Sequence, residues 1–333
     1  MKASSAIDLV PPSVVAGYGS ERLVIVHEFE SFRNWNWLVE DERRRRYVLR
    51  RTGPRSDPRR IEFQARFQLH LLHHGFPTPE IIETREGDLF VTDSDGSFWT
   101  LLAYIDGDEY DFSRIDQAVE AARRLADFHR IAEAFSGEWV TPLYQEPVRD
   151  RWARASENQA ELGQMYAGEG VEDELAYLRE RWRELLAEWP LTRIEALPVG
   201  WLHGDYHGRN VVFAGDEICA LFDFDEVERG PMVYDIALAA QRFGREGRGS
   251  LTIRPEVARH FIQEYARRRA LTDEERAALP MMMTICFAPS PRNYRYCEEQ
   301  RGEDIVARLR DDVANVRALQ AEMELIGPLL QHA

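Results

Sequence analysis

Residues 201–225 constrain this chain more than any other stretch. They read Trp201-Leu-His203-Gly-Asp205-Tyr-His207-Gly-Arg209-Asn210, an apolar run from Val211 to Phe213, a turn at Ala214-Gly215-Asp216, and Ile218-Cys-Ala-Leu-Phe-Asp223-Phe-Asp225. Apolar runs on either side of a glycine turn predict two short strands, with a polar loop before the first and acidic residues leaving the second. Pairing those strands returns Asp223 to the side of Asn210, which itself follows Asp205 by five positions. A carboxylate to accept a hydroxyl proton, beside hard oxygen ligands for Mg²⁺, is the equipment phosphoryl transfer requires.

The rest of the chain is compatible with that reading and excludes others. At 333 residues it is long enough for two lobes, and a hydrophobic fraction of 44% supports a packed core. No run reaches the roughly 18 apolar residues of a membrane span, and the first residues lack a secretory apolar core, so the expected location is cytoplasmic with no membrane partner. The cysteines, Cys219, Cys286 and Cys297, are odd in number and show no metal-binding spacing, which predicts buried thiols. A net charge of −16 argues against nucleic acid, since like charge repels phosphate, and would favour a cationic small substrate.

Taken in order, strand character appears at residues 22–29, 35–39 and 47–50, predicting a three-strand meander. Its first connection, Glu30-Ser31-Phe32-Arg33-Asn34, would lay Ser31 and Asn34 against phosphate oxygens if the strands cover a nucleotide. A helix follows over 59–74, with Phe63, Phe67 and Leu71 four residues apart on one face, and Gly75 and Pro77 ending it. Strands are expected again at 81–82, 89–91 and 98–104. The turn Asp106-Gly107-Asp108 separates this part from a helical remainder, with helices over 113–129, 151–167, 171–189, 255–268, 272–279 and 304–324. Ser113 with Asp116 and Thr272 with Glu275 have the spacing of helix-starting capping boxes. The expected organisation is therefore α+β: a small β-rich N-lobe over 1–104 with one helix, and a larger helical C-lobe over 105–333 carrying the 201–225 hairpin.

The motif His203-Gly-Asp205-x-His207-x-x-Asn210, then Asp223-Phe-Asp225 and Gly230-Pro-x-x-Tyr234-Asp235, resembles the aminoglycoside phosphotransferase and choline kinase superfamily, relatives of the protein kinases. Phe29-Glu-Ser-Phe-Arg-Asn34-x-Asn36 and Tyr47-Val-Leu-Arg50 look most like its homoserine-kinase and stress-response-kinase branch. The likeness runs from about Arg22 to about Tyr265. It implies a bilobal protein-kinase-like fold that uses ATP and Mg²⁺. Carried over by position, it makes Asp205 the catalytic base and Asn210 and Asp223 the metal ligands, with Asp225 auxiliary. His203 and His207 become braces of the loop, since glycines at 204 and 208 argue against a helical zinc pair. Asp235 becomes a structural tie between the loop and the helical lobe. Adenine would lie against the backbone from Leu102 to Tyr104.

Two positions depart from the kinase pattern. Arg50 stands where the third strand usually supplies a lysine to the phosphates, keeping the charge but gaining a planar fork. Its carboxylate partner on the helix is expected at Glu62, whereas alignment back from Pro77 lands nearer Gln64. The leading reading is transfer of a γ-phosphate to the hydroxyl of a small molecule: an aminoglycoside, an amino alcohol such as homoserine, or a sugar. A Ser/Thr protein kinase and a nucleotide-binding pseudokinase are the alternatives. Acceptor specificity is expected from residues 144–189 and 280–300, where Met281–Met283, Arg292, Tyr294 and Tyr296 stand, with Glu226 and Glu228 available to an amine.

Overall fold

The computed structural model describes residues 10–30, 34–53, 55–141, 146–286 and 288–332. A short helix α1 (Pro12–Gly17) precedes the meander β1 (Leu23–Phe29), β2 (Trp35–Asp41) and β3 (Arg46–Thr52). Helix α2 (Pro58–His73) follows, then β4 (Ile81–Ile82), β5 (Val91–Thr92) and β6 (Phe98–Ala103). The sheet order is β1-β2-β3-β6-β4, with β5 also pairing with β6 and every pairing antiparallel. Alternation aims Trp37, Val39, Leu49 and Leu101 to one face, where they are buried with Val14 and Trp99. Trp37 and Trp99 stack at 5.8 Å, locking β2 against β6. In this register Arg50 lies opposite Asn36 and Thr100, on the middle strand of the lobe.

Asp57 caps α2 by accepting the Arg59 N–H, and Pro58 supplies a preset first turn. The stripe Phe63, Phe67 and Leu71 is buried as the sequence predicts. It does not face the sheet, however. It enters the core of the helical lobe, where Phe67 meets Trp201, Phe128 and Phe224 at ring distances of 5.5, 5.8 and 6.1 Å. Helix α2 is thereby fixed to the segment that carries the 201–225 motif.

The helical lobe comprises α3 (Ile115–Ala132), α4 (Val148–Ala153), α5 (Ala155–Met165), α6 (Glu172–Glu188) and α7 (Leu191–Glu195). Two small antiparallel ladders follow. The first pairs β7 (Val199–Leu202) with β10 (Glu228–Pro231), and the second pairs β8 (Val211–Ala214) with β9 (Glu217–Leu221). The chain ends in α8 (Val233–Phe243), α9 (Pro255–Arg268), α10 (Asp273–Ile285), α11 (Pro291–Arg301) and α12 (Ile305–Gln331). Helix α3 packs on α9, and α10 is sandwiched between α8 and α12. Among the described residues no helix is long and apolar enough to cross a membrane.

Local differences from expectation have local causes. The anticipated helix over 151–167 is broken at Arg154, whose φ of −102° and ψ of 13° separate α4 from α5. Ser113 does not cap α3; its N–H and hydroxyl both donate to the Asp111 carboxylate, and the helix starts after Arg114. The Thr272 and Glu275 box forms with both reciprocal bonds, at 3.1 and 2.9 Å.

Candidate active site

The loop between β7 and β8 is shaped by one glycine and one buried carboxylate. Gly204 has φ +79°, and a Cβ there would stand 2.6 Å from the Glu226 carbonyl oxygen, so both conformation and space demand glycine. Asp235, at the start of α8 and fully buried, accepts the His203 N–H at 2.6 Å and the Gly204 N–H at 2.9 Å. His129 Nε2 approaches the same carboxylate at 3.2 Å, and its Nδ1 lies 2.6 Å from the Tyr265 hydroxyl. His203 is a brace. Its Nε2–H donates to the Phe222 carbonyl while its Nδ1 accepts the Asp205 N–H, and burial holds its pKa below the usual value against the pull of Asp235 and Asp205.

Asp205 and Asn210 are brought together as the spacing implies. Asn210 Nδ2 donates to the Asp205 carbonyl at 2.9 Å and lies 3.3 Å from its carboxylate, so the amide oxygen of Asn210 is the end not used in these contacts. His207 Nε2 sits 3.3 Å from Asp205 Oδ2. Burial alone would raise the Asp205 pKa, but His207, Arg242 and His203 outweigh it and hold the carboxyl well below its usual range. The group is an ionised acceptor at neutral pH.

Strand β9 delivers Asp223 to the same place. Its backbone is left-handed, with φ 66° and ψ 67°, a conformation a non-glycine residue adopts at a cost of roughly 1–3 kcal/mol. The anchors are on both sides: the Phe222 N–H bonds the Asn210 carbonyl, and Phe224 is buried in the core. That strain re-aims the Asp223 side chain into the cleft, where 41% of it is exposed.

Arg50 reaches this corner from the sheet. Its Nη2 pairs with Asp225, and its Nη1 lies 3.7 Å from Asp223. Asp225 is a hub: Asn34 Nδ2 donates to Oδ2 at 2.7 Å and Gln64 Nε2 to Oδ1 at 3.1 Å. Arg60 Nη2 donates to the carbonyls of Asp225 and Val227 at 2.6 and 3.0 Å. This corrects the expected pairing of Arg50 with Glu62. Glu62 bonds Arg66 on the outer face of α2, because two residues along a helix is about 200° of rotation from the side that bears Gln64. Arg60, Gln64 and Gln68 form the inward polar stripe, Gln68 donating to the Pro79 carbonyl. Ser31 lies outside the described residues. Asn34 lines the cleft but directs its amide nitrogen to Asp225.

A cleft of about 840 Å³ runs between the lobes and is lined at one end by Leu102, Tyr104 and Ile105 and in the middle by Asp205, Asn210 and Asp223. The Tyr104 N–H bonds the Arg46 carbonyl at 3.3 Å, and the Arg46 guanidinium stands 4.6 Å over its ring. The far end is lined by Arg151, Tyr234, Leu238, Arg242 and Cys286. Arg151 and Cys286 fall within the stretches 144–189 and 280–300 expected to shape the acceptor site, without having been singled out there, whereas Leu238 and Arg242 were passed over, although Tyr234, Leu238 and Arg242 recur every four positions on α8. Met281, Met282 and Met283 are buried in the core instead. Among the described residues no group of three or more His, Cys, Asp or Glu side chains could hold a metal ion, so the two histidines of the motif build no such cluster.

Comparisons with known proteins bear on the family and the fold. The pattern of the phosphotransferase enzyme family matches residues 26–278. Homoserine kinase of Sinorhizobium medicae is 29% identical over 253 residues, spanning 76% of this chain and 73% of that protein. The aminoglycoside phosphotransferase of Alicyclobacillus acidocaldarius superposes with a TM-score of 0.67 at 18% identity, covering 100% of this chain and 99% of its own. An amicoumacin kinase solved in complex with AMP-PNP, Ca²⁺ and Ami gives a TM-score of 0.64 at 16% identity, covering 88% of this chain and 87% of that one. At these identities the solved structures speak for the fold, which is protein-kinase-like.

Proposed function

The chain belongs to the phosphotransferase enzyme family, a kinase with a hydroxyl group as acceptor, and we propose that it moves the γ-phosphate of ATP, bound with Mg²⁺, to a small molecule. The observation that carries this reading is the convergence of Asp205, Asn210 and Asp223 on one stretch of the cleft, with Arg50 reaching Asp223 from the sheet. Asp205, held ionised by its cationic neighbours, accepts the acceptor's proton as the hydroxyl oxygen bonds to the γ-phosphorus and the bond to the β-phosphate oxygen breaks. Asn210 and Asp223 are the metal ligands. The donor set fits Mg²⁺: the Asn210 nitrogen is committed to the Asp205 carbonyl, leaving a hard amide oxygen, and Asp223 adds a carboxylate. When bound, Mg²⁺ neutralises phosphate charge.

Arg50 is placed to meet the phosphates, oriented by Asp225, while Asn34 holds Asp225 from the other side. Adenine packs beside Leu102 and Tyr104, residues of the lobe we place over 1–104, and the acceptor enters from the helical lobe over 105–333. The relatives support homoserine-like amino alcohols and aminoglycosides as acceptor types, and sugars extend the class. They favour a small molecule over a protein Ser/Thr. A requirement for ATP fits the cytoplasm.

Thermal unfolding tests the nucleotide site. ATP at millimolar concentration is expected to raise Tm only when Mg²⁺ is present, because a ligand of the native state alone stabilises it. No shift under either condition contradicts the reading.

A further inference from the structure

The acceptor end of the cleft has a charge opposite to that suggested by the whole chain. Tyr234, Leu238 and Arg242 stand on one face of α8 at successive helical turns, and all three line the cleft. Arg242 acts on Asp205, so its guanidinium borders the reacting end. Arg151 comes from α4, donates from Nη2 to the Tyr234 hydroxyl at 3.2 Å and lies 5.5 Å over the Tyr234 ring. Burial pushes the Cys286 thiol up while Arg242, Arg245 and Arg151 pull it down, so two guanidinium groups of the cleft wall, Arg151 from α4 and Arg242 from α8, converge there, with the buried Arg245 just beyond α8 behind them.

The opposing carboxylates do not cancel this field. Glu146 is engaged by Arg154 at 2.7 Å and by Asn158 at 2.9 Å. Glu228, 1% exposed, is pushed up to about 8 by burial despite Arg151 and the Val148 N–H, so it carries a proton at neutral pH. Asp312 is engaged by the Tyr294 hydroxyl at 2.8 Å and lies 3.7 Å from Arg308, and Glu226 and Asp205 are further carboxylates of the lining. One cationic wall beside one acidic corner is the complement of a small molecule bearing an anionic group at a fixed reach from its hydroxyl.

We propose that Arg151, supported by Tyr234 and Arg242, forms a carboxylate subsite, making the acceptor a short hydroxy acid or hydroxy amino acid rather than a polycation or a simple amino alcohol. The inference rests on the phosphotransferase reading above and adds the charge of the acceptor to it. Arginine suits the task because its planar fork matches a carboxylate with two parallel bonds. A polycationic acceptor would meet the guanidinium cluster as like charge.

A matched pair of acceptors tests it on the full chain with Mg²⁺ and ATP: homoserine against 3-aminopropan-1-ol, which differs only by lacking the carboxylate. The expected kcat/KM ratio is about tenfold or more in favour of the acid, the scale of one charge-assisted hydrogen-bonded contact. Arg151→Gln should bring the ratio towards one chiefly through KM, and Arg151→Lys should restore part of it. Retained stabilisation of each variant by Mg-ATP reports that it has folded. Equal or better use of the decarboxylated acceptor, or an Arg151→Gln enzyme with its selectivity intact, overturns the subsite. If neither acceptor turns over, Tm shifts with short hydroxy acids decide it: shifts no larger than those from their decarboxylated counterparts also overturn it. Failure of the parent reading looks different, as an absence of Mg-ATP stabilisation and of all transfer.

Discussion

Arg50 on β3 and Asp225 beyond β9, 175 residues apart, form an ion pair that joins the sheet to the 201–225 hairpin segment. Both side chains are largely withdrawn from solvent, at 17% and 11% exposure, so this contact is not a screened surface pair. It makes the position of the proposed phosphate-binding arginine depend on the same short 3₁₀ turn, Phe224–Glu226, that follows the metal-ligand candidate Asp223. On the proposed assignments, nucleotide contact and metal contact are mechanically linked.

The first prediction follows from the correction at α2. Asp225→Ala removes the nearer of the two carboxylates beside Arg50, leaving Asp223 at 3.7 Å, and losing a hydrogen bond to a charged group costs about 1.5–3 kcal/mol. The expected result is a rise in KM for ATP of roughly ten- to a hundredfold. Glu62→Ala removes only an exposed pair with Arg66 and should change stability by less than about 0.5 kcal/mol, with KM for ATP unaltered. Gln64→Ala should fall between them. Steady-state kinetics with varied ATP rank the three.

Asp235 carries a second prediction. Its removal orphans two buried N–H groups, those of His203 and Gly204, at about 1–3 kcal/mol each. Asp235→Ala should therefore lower Tm substantially and slow transfer through a misplaced loop. Asp235→Asn keeps one acceptor oxygen and should recover part of the loss. Urea denaturation compares the two.

Glu228 gives a pH signature. Its folded-state pKa is raised from 4.5 to about 8, so the native protein binds more protons than the unfolded chain between those values. Stability from this group is fully present below pH 4.5 and declines as pH rises through 8. Glu228→Gln, neutral throughout, should flatten that decline, so that its Tm relative to the parent is higher at pH 9 than at pH 5. Differential scanning calorimetry across the range measures it.

The 201–225 hairpin was readable because its information is local: Gly204, the turn at Gly215 and the alternation of β8 and β9 each act within a few residues. The meander was readable for the same reason, as was the Phe63, Phe67 and Leu71 stripe. What that stripe packs against was not, since its aromatic partners lie as far away as Trp201 and Phe224. The partner of Arg50 was missed because analogy placed it on the adjacent helix, whereas the carboxylate comes from the other lobe. Arg151 lies in the stretch 144–189 expected to shape the acceptor site, but nothing in the sequence singled it out within that stretch. Its role depends on the break at Arg154 that sets α4 apart and on the face of α8 that carries Tyr234.

The central claim is that Asp205 accepts the proton and does not hold the nucleotide. Its direct test is Asp205→Asn assayed for both properties on one preparation. Phosphate transfer to a hydroxyl acceptor should fall by about 10²–10⁴-fold, the usual contribution of a positioned general base. The rise in Tm on adding Mg-ATP should persist. Transfer at the parental rate, or loss of Mg-ATP stabilisation in a variant that still folds, would contradict the assignment.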